Sequence, residues 1–248
     1  MKIGASTLAG LHSKITENLE FIESLGLEYA ELVHQFPHDD ITSDILDSFN
    51  LKYSIHSPFM DVNIASVNNK SRINSISQIK SSIDLANEID AETVVVHPGF
   101  MPFLARPFED RVYKIANASI KEIGDYGKDL GVTAAIENMP TFEGMIYKDI
   151  GKLNQILTEN EMHMTLDIGH ANHVGYSADE MYFDSIKHIH AHDNFGDDDS
   201  HLALGEGSID LKHIIKEFES KNYDGIYILE VNDNDSIKKS YEYMKENF

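Results

Sequence analysis

Six residues able to hold a cation fall where short apolar runs end. They are His56 in KYSIHS, His97 in TVVVHP, Glu137 in TAAIEN, Asp167 in MTLDIG, His190 in HIHAHD and Glu230 in YILEV. His170 follows in the same DIGH stretch, and Asp199 and His201 stand in the fragment DSHLALGEG at 199–207. Any one of them alone reads as a hydrogen-bonded loop histidine or a solvated acid. Taken together they do not, because acids embedded in apolar runs are costly to bury without a cation or hydrogen-bond partners. The chain has no cysteine, so the chemistry is that of a divalent cation held by imidazole nitrogen and carboxylate oxygen, with no thiolate and no disulfide.

Residues so far apart can share an ion only if a fold brings them together. Eight strand-like runs occur, at 2–8, 29–34, 52–57, 93–98, 133–138, 164–169, 188–193 and 227–231. Helix-like stretches lie between them. Ile73, Ile76, Ile79, Ile83 and Ala86 form one apolar stripe over 72–89, and Val112, Ile115, Ile120, Ile123 and Leu130 another over 112–130. Gly26 and Gly131 are placed to close helices in the left-handed conformation. Alternating strands and helices imply right-handed βαβ units, and eight of them close a parallel (β/α)8 barrel. An open doubly wound sheet is the alternative, but no GxGxxG follows the first strand, and the GEG at 205–207 reads as a tight turn. The intervals from His56 to Glu230 are 41, 40, 30, 23 and 40 residues, close to single βα units. That spacing brings the side chains to the carboxyl-end face, where barrel enzymes build their sites. The stretch 101–110, with Pro102 and Pro107, reads as an irregular loop that covers the mouth or packs against it.

Length and composition bound the rest. At 248 residues the expectation is one barrel domain over 1–248. The start MKIGASTLAG lacks a basic segment followed by a long apolar run, and no long apolar run occurs elsewhere; a soluble, cytoplasmic protein without a membrane partner is expected. Forty-two acids against twenty Lys and Arg give a formal charge of -22, which disfavours extended nonspecific binding to nucleic acid.

The motifs SIHSPF, VVVHPG, AAIENMP, TLDIGHAN, HIHAHD, DSHLALGEG and ILEV, running from the third strand to the eighth, resemble those of endonuclease IV and its xylose isomerase-like TIM barrel relatives, a superfamily that includes sugar phosphate isomerases and epimerases. The resemblance implies one zinc on His56, His97 and Glu137, a second on Glu137, Asp167, His190 and Glu230, and a third on His170, Asp199 and His201. Up to three Zn²⁺ are thus expected, with Mn²⁺ an alternative for the oxygen-rich set around Glu137 and Glu230.

Two chemistries fit those residues. The first is phosphoester hydrolysis, in which two ions about 3.5 to 4 Å apart hold a hydroxide for attack on phosphorus and a third stabilises the departing oxygen. The alternative is sugar isomerisation or epimerisation around one ion, with Glu137 and Glu230 as the catalytic pair that moves a proton beside a carbonyl. The hydrolytic reading leads because all nine ligand types are present, and the substrate is then a small phosphate ester, a sugar or damaged DNA. The segment HQFPHDDITSD after the second strand carries no Lys or Arg where endonuclease IV has a basic recognition loop. Phe59 and Met60 are candidate substrate contacts, as a wedge between base steps or as a cap on the barrel. Arg106 and His192 are further candidates, and Lys70, Arg72 and Arg111 are the other cations near the active face. His34 is ambiguous, Glu206 reads as stabilising its turn, and His12, His38, His163, His173, His188 and His213 read as surface or structural.

Overall fold

The computed structural model describes residues 1–248. Eight parallel strands follow one another around a closed barrel: β1 (Lys2–Ser6), β2 (Tyr29–Val33), β3 (Lys52–His56), β4 (Thr93–Val96), β5 (Thr133–Glu137), β6 (His163–Asp167), β7 (Ile186–Ala191) and β8 (Ile226–Leu229). The ring closes where β1 pairs with β8, Lys2 opposite Ile226 and Ala5 opposite Leu229. Eight α-helices connect or follow the strands: α1 (Ile15–Ser24), α2 (Ser43–Leu46), α3 (Asn69–Glu88), α4 (Glu109–Leu130), α5 (Ile150–Glu159), α6 (Ile168–Val174), α7 (Leu211–Ser220) and α8 (Asn234–Asn247). The fold is a (β/α)8 barrel.

Period-two alternation explains where the polar residues went. In β7, Ile189 faces the helices with the main apolar core, while His188 and His190 point into the lumen. The two longest helices begin earlier than their apolar stripes suggest. Asn68 caps α3 by accepting from the backbone N–H groups of Lys70 and Ser71. Gly131 closes α4 at φ 75°, the left-handed conformation its position calls for.

Two expectations need correction. The strands stop one or two residues sooner than their sequence runs, so His97 and Glu230 stand just past β4 and β8 rather than within them. The stretch 101–110 is not irregular: Phe103–Phe108 forms a 3-10 turn leading into α4. Pro107 is tolerated there because backbone N–H groups at the start of a helix have no intrahelical acceptor to lose. No helix is long and apolar enough to cross a membrane.

Candidate functional site

Glu137 ends β5, Asp167 ends β6, His190 is the penultimate residue of β7, and Glu230 directly follows β8. One potential ligand atom from each of the four lies within 4.8 Å of the others. All four side chains are buried. His190 Nδ1 stands 3.1 Å from Glu230 Oε2, 3.4 Å from Glu137 Oε1 and 3.9 Å from Asp167 Oδ2. Yet His190 Nδ1, Glu137 Oε2 and Asp167 Oδ2 lack a hydrogen-bond partner. Buried, closely spaced atoms of this kind are expensive unless something of opposite charge sits among them. One nitrogen and three carboxylates suit a divalent cation such as Mn²⁺, Mg²⁺ or Zn²⁺.

Local structure holds these groups. Asn138, next to Glu137, accepts from the backbone N–H of Asp167 at 2.8 Å and donates to its carbonyl at 3.0 Å, so the ends of β5 and β6 are clamped together. Asp167 also caps α6, accepting from the His170 N–H at 2.7 Å, which leaves its other oxygen to face the centre.

Two further groups flank the four. His56 Nε2 and His97 Nε2 approach Glu137 Oε2 at 3.4 and 3.1 Å. On the other side, His170, Asp199, His201 and His192 gather within the same 4.8 Å criterion. His170 Nε2 lies 3.0 Å and His201 Nε2 3.4 Å from Asp199 Oδ2. His56, His170 and His201 each place Nδ1 against a backbone carbonyl, of Ser57, Asn138 and Glu230, at 2.8 to 2.9 Å. In the neutral ring a donating Nδ1–H leaves Nε2 as the lone-pair atom, and in each case Nε2 is the atom turned inward. Burial opposes charge on His170, but Asp167, Asp199 and Glu137 hold its pKa up at about 10. All nine residues expected to bind metal are therefore brought together, in the three expected groupings, with His192 added to the third.

The sequence reading missed Glu31 on β2. It is fully buried in the lumen, with Oε1 2.9 Å from His190 Nε2 and Oε2 2.7 Å from His188 Nε2, and Ser54 Oγ donates to it at 3.1 Å. Burial raises its pKa, but the His190 and His188 charges outweigh that and hold it well below the usual carboxylate range. The signal was present: YAELV carries an acid in an apolar run, as AAIEN does. His188, read as surface or structural, is buried in this lumen cluster with Glu31 and His190.

Above the centre lies a cavity of about 440 Å³, whose walls include the metal-capable His56, His97, Glu137, His170, Asp199, His201 and Glu230. Phe59 and Met60 line it as expected. The Phe59 ring packs on His97 and His56, with centroids 5.2 and 5.0 Å apart. Two candidate contacts do not reach it. Arg106 pairs with Glu143 at 2.7 Å and covers the Phe103 ring, outside the cavity. His192 is buried behind Asp167 and Asp199, stacked 3.9 Å from the His201 ring. His34 meets Ser82 on α3 at 2.8 Å, away from the centre. Glu206 pairs with Lys239 on α8 at 2.7 Å.

Comparison with known proteins bears on the chemistry. The family described as xylose isomerase-like TIM barrel matches residues 19–247. An uncharacterized protein of Methanocaldococcus jannaschii is 32% identical, the match covering 99% of this chain and 89% of that one. The crystal structure of a D-tagatose 3-epimerase-like protein superposes with a TM-score of 0.91 at 31% identity, covering 100% of this chain and 97% of the other. A fructoselysine 3-epimerase of Shigella flexneri is 22% identical over 64% of this chain and 59% of its own length.

Proposed function

The chain belongs to the xylose isomerase-like TIM barrel family, and on that premise we propose that it is a divalent-metal-dependent isomerase or epimerase of a small keto sugar. This reverses the order in which the sequence ranked the two chemistries, because the similar proteins with a named activity are sugar epimerases. The observation that carries the reading is the buried group of Glu137, Asp167, His190 and Glu230, with unpaired atoms turned toward one point beneath the cavity.

In this reading the four residues hold the ion, which when bound stabilises negative charge developing on the substrate's oxygens. Glu31 is a positioning residue: it fixes His190 Nε2 so that Nδ1 faces the centre. One of Glu137 and Glu230 removes the proton from the carbon beside the carbonyl. The C–H electron pair passes into the new C–C double bond as the carbonyl pair moves onto oxygen. The other carboxyl, protonated, returns a proton to the opposite face, and the carbon is inverted. His56, His97, His170 and His201 ring the cavity with Nε2 turned inward, where they hydrogen-bond substrate hydroxyls.

Phosphoester hydrolysis by up to three Zn²⁺ is the second reading, favoured by one observation, the separate His170, His192, Asp199 and His201 group. Against it, no Lys or Arg lines the cavity, so outside the metal-capable cluster the walls offer a phosphodiester no cation. The test is ketose turnover by the Mn²⁺-loaded protein beside nicking of a duplex carrying one abasic site. Epimer formation without nicking supports the isomerase; nicking without ketose turnover by the Zn²⁺-loaded protein supports the hydrolase.

A further inference from the structure

The walls of the cavity are of two kinds. Its floor is the metal-capable cluster, and Asp61 is the only other polar side chain among its lining residues; no Lys, Arg, Asn, Gln, Ser, Thr or Tyr takes part. The remaining wall is apolar, with Leu8, Val62, Met139 and Met145 among its residues and a rim to which Phe59, Met60, Phe100 and Phe142 contribute. That rim is open to solvent: Met60 is 63% exposed, Phe100 44% and Phe142 42%. Large apolar side chains left exposed around a concave site mark where a ligand's apolar surface is received.

This division of polarity constrains what can lie there. A phosphorylated sugar needs a cation or a set of N–H donors for its dianion; outside the cluster the one charged wall residue is an acid, and the histidines of the cluster already face the carboxylates of Glu137 and Asp199. The nearest candidate cation, Arg106, is committed to Glu143 and Phe103. The chain's charge of -22 adds long-range repulsion. A fully hydroxylated hexose fares little better, since hydroxyls beyond the reach of the floor would press on Met and Phe without partners.

We propose that the substrate is an uncharged keto sugar bearing an apolar substituent, aryl or alkyl, at the end remote from its carbonyl. This rests on the isomerase reading for the polar end and on the cavity wall for the other. The carbonyl and its neighbouring hydroxyl lie on the floor against Glu137 and Glu230. The substituent lies across Met145, Phe100 and Phe142.

The test compares D-fructose, D-fructose 6-phosphate and 6-O-benzyl-D-fructose, which share one reactive end. Binding to the Mn²⁺-loaded protein is measured by calorimetry, and deuterium incorporation beside the carbonyl is read in D2O. The benzyl ether is expected to bind at least about tenfold more tightly than fructose, the scale of a modest apolar addition in an apolar pocket, and the phosphate more weakly than either. In the Met60→Ser, Phe100→Ser variant, both positions being exposed and free of the core, the benzyl preference should shrink toward one. Equal binding of benzyl ether and fructose, or tightest binding of the phosphate, would overturn the proposal. Deuterium exchange separates the two ideas: exchange with the phosphate preferred leaves the isomerase and removes the apolar substrate. Benzyl-selective binding that the rim variant abolishes, with no exchange from any probe, supports the apolar site and removes the isomerase.

Discussion

The heaviest demand on any single residue falls on Glu137 and Glu230, which in the proposed reaction share a cation and exchange a proton with substrate. Replacing Glu230 by Gln keeps its shape and removes its basicity, so turnover of a ketose should fall by about 10² to 10⁴, the usual contribution of a positioned acid or base. A steady-state assay showing near-normal turnover in that variant would remove Glu230 from the proton path. Glu31 calls for a different readout, because it touches no substrate. Glu31→Gln should weaken Mn²⁺ binding by about 10- to 100-fold, as loss of a histidine's carboxylate partner does, and Glu31→Asp should restore part of it. Titration followed by the electron paramagnetic resonance of free Mn²⁺ checks this, and unchanged affinity would reduce Glu31 to a packing role. These residues also show what the sequence made legible. His56, His97, Glu137, Asp167, His190 and Glu230 were visible because each interrupts or ends an apolar run. Glu31 interrupts YAELV in the same way and was passed over, because its histidine partners are far off in sequence, on β7, with His188 157 positions away from it.

Among the elements, the loop after β7 matters most, since it carries Asp199 and His201. Asp193, which alternation turned away from the lumen, holds that loop: its carboxylate accepts from the N–H groups of Asn194, Gly205 and Ile209 at 2.9 to 3.1 Å. Asp193→Ala leaves three buried or partly buried donors without their acceptor, so a loss of at least about 1–3 kcal/mol, the cost of one such donor, is expected. Urea unfolding measures it, and an unchanged midpoint would mean water replaces the carboxylate. A second constraint lies at the start of α6, where a Cβ on Gly169 would fall 1.9 Å from the His192 ring. The GEG turn was readable from its glycines, whereas the clamp by Asp193 was not, because a lone Asp at a strand end looks the same whether it binds solvent or three amides. The 3-10 turn at Phe103–Phe108 escaped for a related reason: Pro102 and Pro107 punctuate the sequence strongly, and a short turn carries no 3.6-residue stripe.

For the whole molecule, the barrel collects onto one face residues spread over 174 positions, from His56 to Glu230. The eight-strand count and the near-regular ligand intervals foretold this; the choice between two chemistries on the same ligands could not be read from them, because it depends on what the walls offer a substrate. The same convergence links metal to stability. The buried carboxylates repel one another without a cation, so a saturating ion at about 100 times its dissociation constant should add about 2.7 kcal/mol. For a protein of this size that raises the unfolding temperature by roughly 5 to 10 °C. Scanning calorimetry with Mn²⁺ and then with excess EDTA should show the rise and its reversal, and coincident traces would mean no ion binds the folded barrel. The central claim is proton transfer beside a carbonyl, and one measurement addresses it most directly: proton NMR of ketoses incubated with the Mn²⁺-loaded protein in D2O. The account predicts that the signal of the hydrogen on the carbon next to the carbonyl disappears as the epimer grows in, and that Glu230→Gln suppresses both. An unchanged spectrum for free and apolar-substituted ketoses alike, with full metal occupancy, would contradict it.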